Sequence, residues 1–147
     1  MDNKNKRQFT RVDVQLDVYL DFGIRKYRHV ARNLSLNGIY IRGLYDQQAG
    51  DACIIRVKPP LAAQDAAICA VGSVARVSGA GMAVKFISMK IDSFMQLQTI
   101  LSSSAKDPAQ VWGESVKGIS FTQEDSLIFY DNALPLKKYS FPVAEYQ

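Results

Sequence analysis

Two short polar motifs, one β-hairpin apart near the N-terminus, hold the residues best suited to chemistry. Arg7 and Arg11 supply two guanidinium forks, and such a fork binds phosphate or the edge of guanine through paired hydrogen bonds. Asn33 and Ser35 offer an amide and a hydroxyl, and Gly38 is free to take a positive φ that lets the backbone approach a ligand closely. Taken singly, the motifs are equally consistent with a solvated pair of arginines and a β-turn. Together they favour a guanine nucleotide as ligand.

The distribution of charge predicts an anionic partner at the same end of the chain. Residues 1–60 carry 11 Lys and Arg against 6 Asp and Glu, whereas residues 61–147 carry 7 against 8. The positive surplus therefore coincides with the two motifs. Nucleic acid fits the sign of this charge, but the excess is modest and the sequence holds no recognised DNA- or RNA-binding motif. A small dianionic ligand needs less positive charge, so nucleic acid is disfavoured.

The elements that must position these motifs are predicted to be short antiparallel strands. Residues 12–20 alternate apolar and polar side chains with a period of two, which indicates a half-buried strand. Five further strands are predicted at residues 27–34, 39–42, 53–57, 68–77 with a bulge at Gly72, and 82–86. Apolar side chains three and four residues apart then indicate a helix over residues 88–102, with Asp92 as its N-cap. This order predicts a mainly β fold, a small six-stranded antiparallel barrel with a C-terminal helix as its lid.

The chain divides into three predicted parts: a flexible basic segment over residues 1–11, the barrel and helix over residues 12–102, and a C-terminal extension over residues 103–147. The extension holds the only tryptophan, Trp112, and too many apolar residues for a disordered tail. It either packs on the barrel as an extra layer or forms a self-association or partner surface, because aromatic side chains anchor interfaces. The sequence leaves both alternatives open.

The two motifs, in this order and spacing, resemble those of the PilZ domain, the bacterial receptor module for cyclic di-GMP. The family pattern is R-x-x-x-R, followed about one hairpin later by D/N-x-S-x-x-G, and both parts are intact here. The resemblance extends over residues from about 5 to about 102. It implies a PilZ-like β-barrel with cyclic di-GMP as its ligand and no resident cofactor. In that role Arg7 and Arg11 engage phosphate and guanine edges, Asn33 and Ser35 hydrogen-bond the guanine and its neighbours, and Gly38 permits the turn.

Lys6 stands directly before the first arginine, at a position where PilZ proteins differ. An arginine there favours an intercalated ligand dimer, whereas lysine has the charge without the stacking plane. We therefore expect one bound ligand or a weaker ligand dimer. Arg32 and Arg76 are interpreted as solvated strand residues. Ligand binding is expected to order residues 1–11 over the barrel, so that a partner protein reads the changed surface in signal transduction.

Two alternatives to a cyclic di-GMP receptor remain open. One is a PilZ-like module that has lost its ligand and works as a protein-interaction adaptor, although the intact motifs argue against it. The other is a small nucleic-acid-binding barrel that recruits aromatic side chains such as Phe9, Tyr19 and Tyr40. In each protein-binding hypothesis, the partner is either an unidentified protein or a second copy of the chain.

The sequence does not favour an enzyme. The only histidine, His29, lies in a predicted strand without a nucleophile partner and is interpreted as either structural or merely exposed. Asp13, Asp17 and Asp21 fall on one solvent face of a strand rather than around a metal. The sequence also lacks a P-loop, a dinucleotide fingerprint and zinc-ligand spacing. We expect neither catalytic residues nor a metal site.

Composition and cysteine usage indicate one globular domain in a reducing compartment. The 147 residues are 48% hydrophobic and 22% charged, which suits a single soluble domain with its own core. Cys53 and Cys69 lack metal or redox spacing and are interpreted as buried reduced thiols. No apolar run reaches the roughly 18 residues of a membrane helix, and the polar N-terminus does not resemble a signal peptide. We therefore expect a cytoplasmic protein without membrane insertion.

Overall fold

The computed structural model describes the backbone of residues 9–58, 67–114, 119–122, 126–131 and 137–142, and side chains as far as Phe121. These residues form nine strands and two helices. In chain order they are β1 (Val12–Asp21), β2 (Lys26–Leu34), β3 (Gly38–Arg42), β4 (Ala52–Val57), β5 (Ile68–Val77), β6 (Gly81–Lys90), α1 (Ile91–Ser104), α2 (Pro108–Gly113), β7 (Ser120–Thr122), β8 (Ser126–Asp131) and β9 (Lys137–Pro142).

The first six strands close into an antiparallel barrel. Their order is β3-β2-β1-β4-β5-β6, and a further pairing of β3 with β6 joins the two edges. Strand β7 adds to β6 in parallel, and β8 pairs with β9 in a separate two-stranded sheet. The predicted mainly β barrel with a C-terminal helix is therefore confirmed. Closure leaves β1 to β6 without an open edge, which removes a site of unwanted strand pairing.

The barrel interior is filled by the apolar side chains that the period-two pattern assigns to one face. On β1 the buried positions are Val12, Leu16, Val18 and Leu20. Phe86 on β6 is the largest of the fully buried side chains. Three residues of the helices, Leu97, Leu101 and Val111, belong to the same core cluster. Helix α1 therefore completes the barrel core, as predicted for the lid helix.

The predicted boundary between the last barrel strand and α1 was wrong. Strand β6 continues to Lys90, and α1 begins at Ile91 with Lys90 rather than Asp92 at the N-cap position. Ser88 and Met89 pair with β5 on one side and with β7 on the other. Because β7 follows some thirty residues later, no local pattern announces this pairing. Asp92 lies in the first helical turn, where a carboxylate interacts favourably with the helix dipole.

The C-terminal extension contacts the barrel through helix α2 and strand β7. Helix α2 packs against α1, and Val111 is fully buried. By contrast, Trp112 on the same helix is 53% exposed. Of the helices in the described part of the chain, none has the length and apolar character needed to cross a membrane.

Both cysteines are free and buried, as predicted. Burial raises the pKa of the Cys53 thiol to about 12, because the thiolate would lose its hydration inside the barrel. Burial also raises the pKa of Cys69. The bulge predicted at Gly72 is present as a shift in register between β5 and β6. A Cβ atom at Gly72 would lie 2.6 Å from side-chain atoms of both Ile55 and Val84, so glycine also gives the core its room.

Candidate functional site

A groove of about 440 Å³ lies on the outer face of the barrel, where β2, β3, β6 and β5 run side by side. It is lined by residues of both predicted motifs together with residues of β5 and β6. The motif residues in the lining are Arg11, Asn33, Ser35 and Gly38. Arg7 and Lys6, the other two predicted ligand contacts, lie outside the described residues. The structure therefore brings together the four predicted site residues that it describes.

The second motif forms a tight turn between β2 and β3, held by its own polar groups. The Ser35 amide donates to the Gly38 carbonyl over 3.0 Å, and the buried Ser35 hydroxyl donates to Asn37 Oδ1 over 2.6 Å. The Phe86 amide on β6 donates to the Asn37 carbonyl over 2.9 Å. Ser35 thus orients Asn37, which lines the groove. Asn37 was not predicted as a site residue, because it occupies a variable position of the motif.

Gly38 is required by close packing rather than by its backbone conformation. A positive φ was the expected reason for glycine, but Gly38 is not among the described glycines that have one. It pairs with Lys85 at the seam where β3 and β6 close the barrel. A Cβ atom there would lie 2.6 Å from the Val84 carbonyl oxygen, which belongs to the backbone and cannot rotate away. The glycine therefore lets the two strands meet beneath the groove.

Glu114 connects the basic segment of residues 1–11, called the arginine segment below, to the C-terminal extension. Its Oε2 accepts hydrogen bonds from the Thr10 amide at 2.8 Å and from the Thr10 hydroxyl at 2.5 Å. Thr10 directly precedes Arg11, so these two bonds fix the approach of the chain to the groove. The sequence offered no signal for Glu114, because its partner is 104 residues away.

We expect Glu114→Ala to lower the free energy of unfolding by about 1–3 kcal/mol, because two partly buried donors on Thr10 lose a charged acceptor. Urea unfolding of the variant measures this loss. Thr10→Val removes only the hydroxyl donor and should cost roughly half as much. A double variant that costs the full sum of the two single losses would show that the residues do not interact.

The groove is cationic. Its described lining contains Arg11, Arg76 and Lys85 and no carboxylate. All three cationic side chains are exposed, so they attract an anion without a large desolvation cost. Arg76 is thus solvated, as predicted, yet it also lines the groove. Arg76 is part of the groove lining because β5 pairs with β6, and β6 pairs with β3 next to the second motif. Arg32 is half-buried and is not part of the lining.

His29 lies outside the groove in an aromatic cluster. Its Nδ1 is 2.5 Å from the Tyr45 hydroxyl, and its ring packs near Tyr27. Burial raises the pKa of the Tyr45 phenol well above its usual range. Among the described residues, no three His, Cys, Asp or Glu side chains are placed to hold a metal ion.

A closed antiparallel barrel with a helical lid and a cationic outer groove defines a small β-barrel binding domain. A family model described as the PilZ domain matches residues 5–103, which is more than half of the chain. The chain therefore belongs to the PilZ domain family, and the resemblance in its motifs is confirmed. PilZ proteins are receptors and adaptors, generally without enzymatic activity, and the family implies cyclic di-GMP and protein partners.

Solved structures share the fold at low sequence identity. One that matches is entitled "Structure of Bacillus subtilis Inhibitor of motility (MotI/DgrA)", with a TM-score of 0.55 and 20% sequence identity. The match covers 70% of this chain and 54% of that chain, so the present chain spans about half the length of that structure. At this identity the likeness shows the fold alone. A comparison with curated protein sequences finds no match.

Proposed function

We propose that this chain is a cyclic di-GMP receptor that signals to a partner protein. The observation that carries the proposal is the convergence of both motifs on one groove. Arg11 from the first motif and Asn33 and Ser35 from the second line the same cationic surface. Two phosphates and two guanines match this set, because guanidinium, amide and hydroxyl groups bind phosphate oxygens and guanine edges.

Binding is driven by a few charge-assisted hydrogen bonds. Each contributes roughly 1.5–3 kcal/mol, from which the cost of ordering chain segments is subtracted. The Arg11 guanidinium attracts the dianion, while the Asn33 amide presents hydrogen-bond donors and an acceptor in the same groove. Ser35 supports the site by holding Asn37 in place. The family pattern gives Arg7 the same role as Arg11, with Lys6 beside it to set the number of ligands bound.

The signal to the partner protein depends on the position of the arginine segment. Ligand held between this segment and the second motif orders residues 1–11 over the barrel, and the partner recognises the new surface. The hydrogen bonds from Thr10 to Glu114 place the end of this segment against helix α2. Ligand occupancy therefore also reaches the C-terminal extension, whose exposed Trp112 suits a protein interface.

Arg11→Ala is expected to weaken cyclic di-GMP binding about 10- to 100-fold, because it removes one or two charge-assisted bonds. Isothermal titration calorimetry at physiological salt measures the affinity and the stoichiometry. GMP serves as the control nucleotide. Arg28→Ala is the matched control variant, because Arg28 lies over the Tyr19 ring, 5.3 Å from its centroid, and is not part of the groove lining.

Saturable binding by the wild-type chain that Arg28→Ala preserves and Arg11→Ala weakens at least tenfold supports the receptor. Hydrogen exchange on the same samples should show new protection over residues 1–11 in the bound state. No heat up to high micromolar ligand would instead favour an adaptor that works without cyclic di-GMP. Binding without new protection would retain the receptor and exclude the ordering of the N-terminal segment.

A further inference from the structure

One row of outward-facing residues crosses the groove from wall to wall. Asn33 on β2 pairs with Tyr40 on β3, Tyr40 with Ala83 on β6, and Ala83 with Arg76 on β5. The next row, which includes Ile39, is buried in the core. Strands lie about 4.8 Å apart, so the row spans roughly 14 Å between its two ends. Asn33 and Arg76 therefore stand on opposite walls, and only Asn33 belongs to a recognised motif.

Ala83 lines the groove between the two walls and is half-buried. The hydroxyl end of the Tyr40 ring lies against Gly81, two residues along β6 from its direct partner Ala83. A Cβ atom at Gly81 would be 2.6 Å from the Tyr40 hydroxyl oxygen. Ala83 therefore presents only a methyl group between the Tyr40 ring and Arg76. This flat apolar floor, with a phenol ring on one side and a guanidinium on the other, has the shape and chemistry of a base-binding site.

A bulge in β5 turns Arg76 toward this floor. Val74 pairs with Val84 and Arg76 with Ala83, so Ala75 is an extra residue between them. Bulges increase local twist and redirect side chains, and they are common beside binding sites. As a result Ala75 and Arg76 both line the groove although they are neighbours in sequence. In a regular strand, one of the two would point into the barrel.

We propose that the β5 side of the groove is a guanine subsite in which Arg76 determines specificity. The base lies over Ala83, and the Arg76 guanidinium donates two hydrogen bonds to its O6 and N7 edge. Lys85, a compact point charge beside Gly38, serves the phosphates instead. This inference rests on the proposed function, because it assigns one base of the ligand to residues outside both motifs.

Calorimetric titration with cyclic di-GMP tests the subsite on the full chain. We expect Arg76→Ala and Arg76→Lys each to weaken binding about 10- to 100-fold, because lysine keeps the charge but not the paired donors. Ala83→Leu, which fills the floor, should weaken binding to a similar degree. Arg28→Ala, the same change at a position of β2 that is not part of the groove lining, should stay within about twofold of wild type. Thermal unfolding checks that every variant is folded.

The possible results distinguish a failure of the guanine subsite from a failure of cyclic di-GMP binding as a whole. Wild-type binding that Arg76→Ala and Ala83→Leu leave intact overturns the subsite and retains the receptor. Wild-type affinity in Arg76→Lys shows that charge alone suffices and overturns the base contact. A flatter dependence on salt in Arg76→Ala places the arginine on a phosphate and overturns it too, because a contact to a neutral base edge is little screened. If the wild-type chain does not bind cyclic di-GMP, both the receptor function and the subsite are overturned.

Discussion

Replacement of Phe86 by alanine is expected to lower the free energy of unfolding by about 3–5 kcal/mol, which is the usual cost of removing a buried aromatic ring. Phe86 is fully buried on β6. Its pairing partner on β5, Gly72, has no side chain with which to fill the space. A domain of this size has roughly 5–15 kcal/mol of stability in total, so the variant loses a large share of it.

The same substitution is expected to weaken ligand binding. The Phe86 amide holds the Asn37 carbonyl, so a shift of β6 into the cavity moves the turn of the second motif. Urea unfolding and calorimetry measure the two effects. Phe121→Ala is the control, because Phe121 is 41% exposed and makes one edge-to-face contact with Phe94. Its loss should cost only about 1 kcal/mol. Equal losses of stability in the two variants would contradict the assignment of Phe86 to the barrel core.

Gly38→Ala is expected to abolish cyclic di-GMP binding and to destabilise the barrel by about 1–3 kcal/mol, the range for overpacking a tight site. The added methyl group collides with the Val84 carbonyl oxygen, so β3 and β6 must separate. The pairing of β3 with β6 closes the barrel. Gly38, the last residue of the second motif, is also the first residue of β3. One methyl group therefore disturbs closure and the groove together.

Gly79→Ala is the matched control for this prediction. Gly79 lies in the turn between β5 and β6, and a Cβ atom there meets no atom within 4 Å. Its stability and ligand affinity should both stay close to wild type. Chemical unfolding and calorimetry again provide the readouts. A Gly38→Ala variant as stable as Gly79→Ala, with its affinity intact, would mean that the strands tolerate the collision.

Barrel closure at Gly38 also fixes the floor of the groove. Strands β3 and β6 provide the floor of the groove, and their pairing is what makes the sheet a closed barrel. The strand pairings of Asn33 and Tyr40 hold both residues in place. Binding of cyclic di-GMP as proposed would therefore cost little free energy for ordering that side of the groove. The ordering that we propose on ligand binding is therefore confined to the arginine segment.

Local patterns in the sequence were sufficient to predict the barrel and its family. The alternation on β1 identified the residues that face the core, and the change of period after residue 88 indicated α1. The two motifs indicated the PilZ family, because their residue types and spacing follow a fixed pattern. These features depend on neighbouring residues in the chain, whose side-chain directions follow from the geometry of strand or helix.

The remaining features depended on pairings between distant residues, which only the tertiary structure decided. Strand β7 pairs with the part of β6 that lies beyond its predicted end, and Glu114 bonds to Thr10, which is 104 residues away. Gly38 is glycine because β6 lies against it, not because of its own φ. Arg76 joined the groove through a bulge in β5 that no residue pattern marks. Each of these contacts forms only when the barrel closes, so its partner cannot be identified from local sequence.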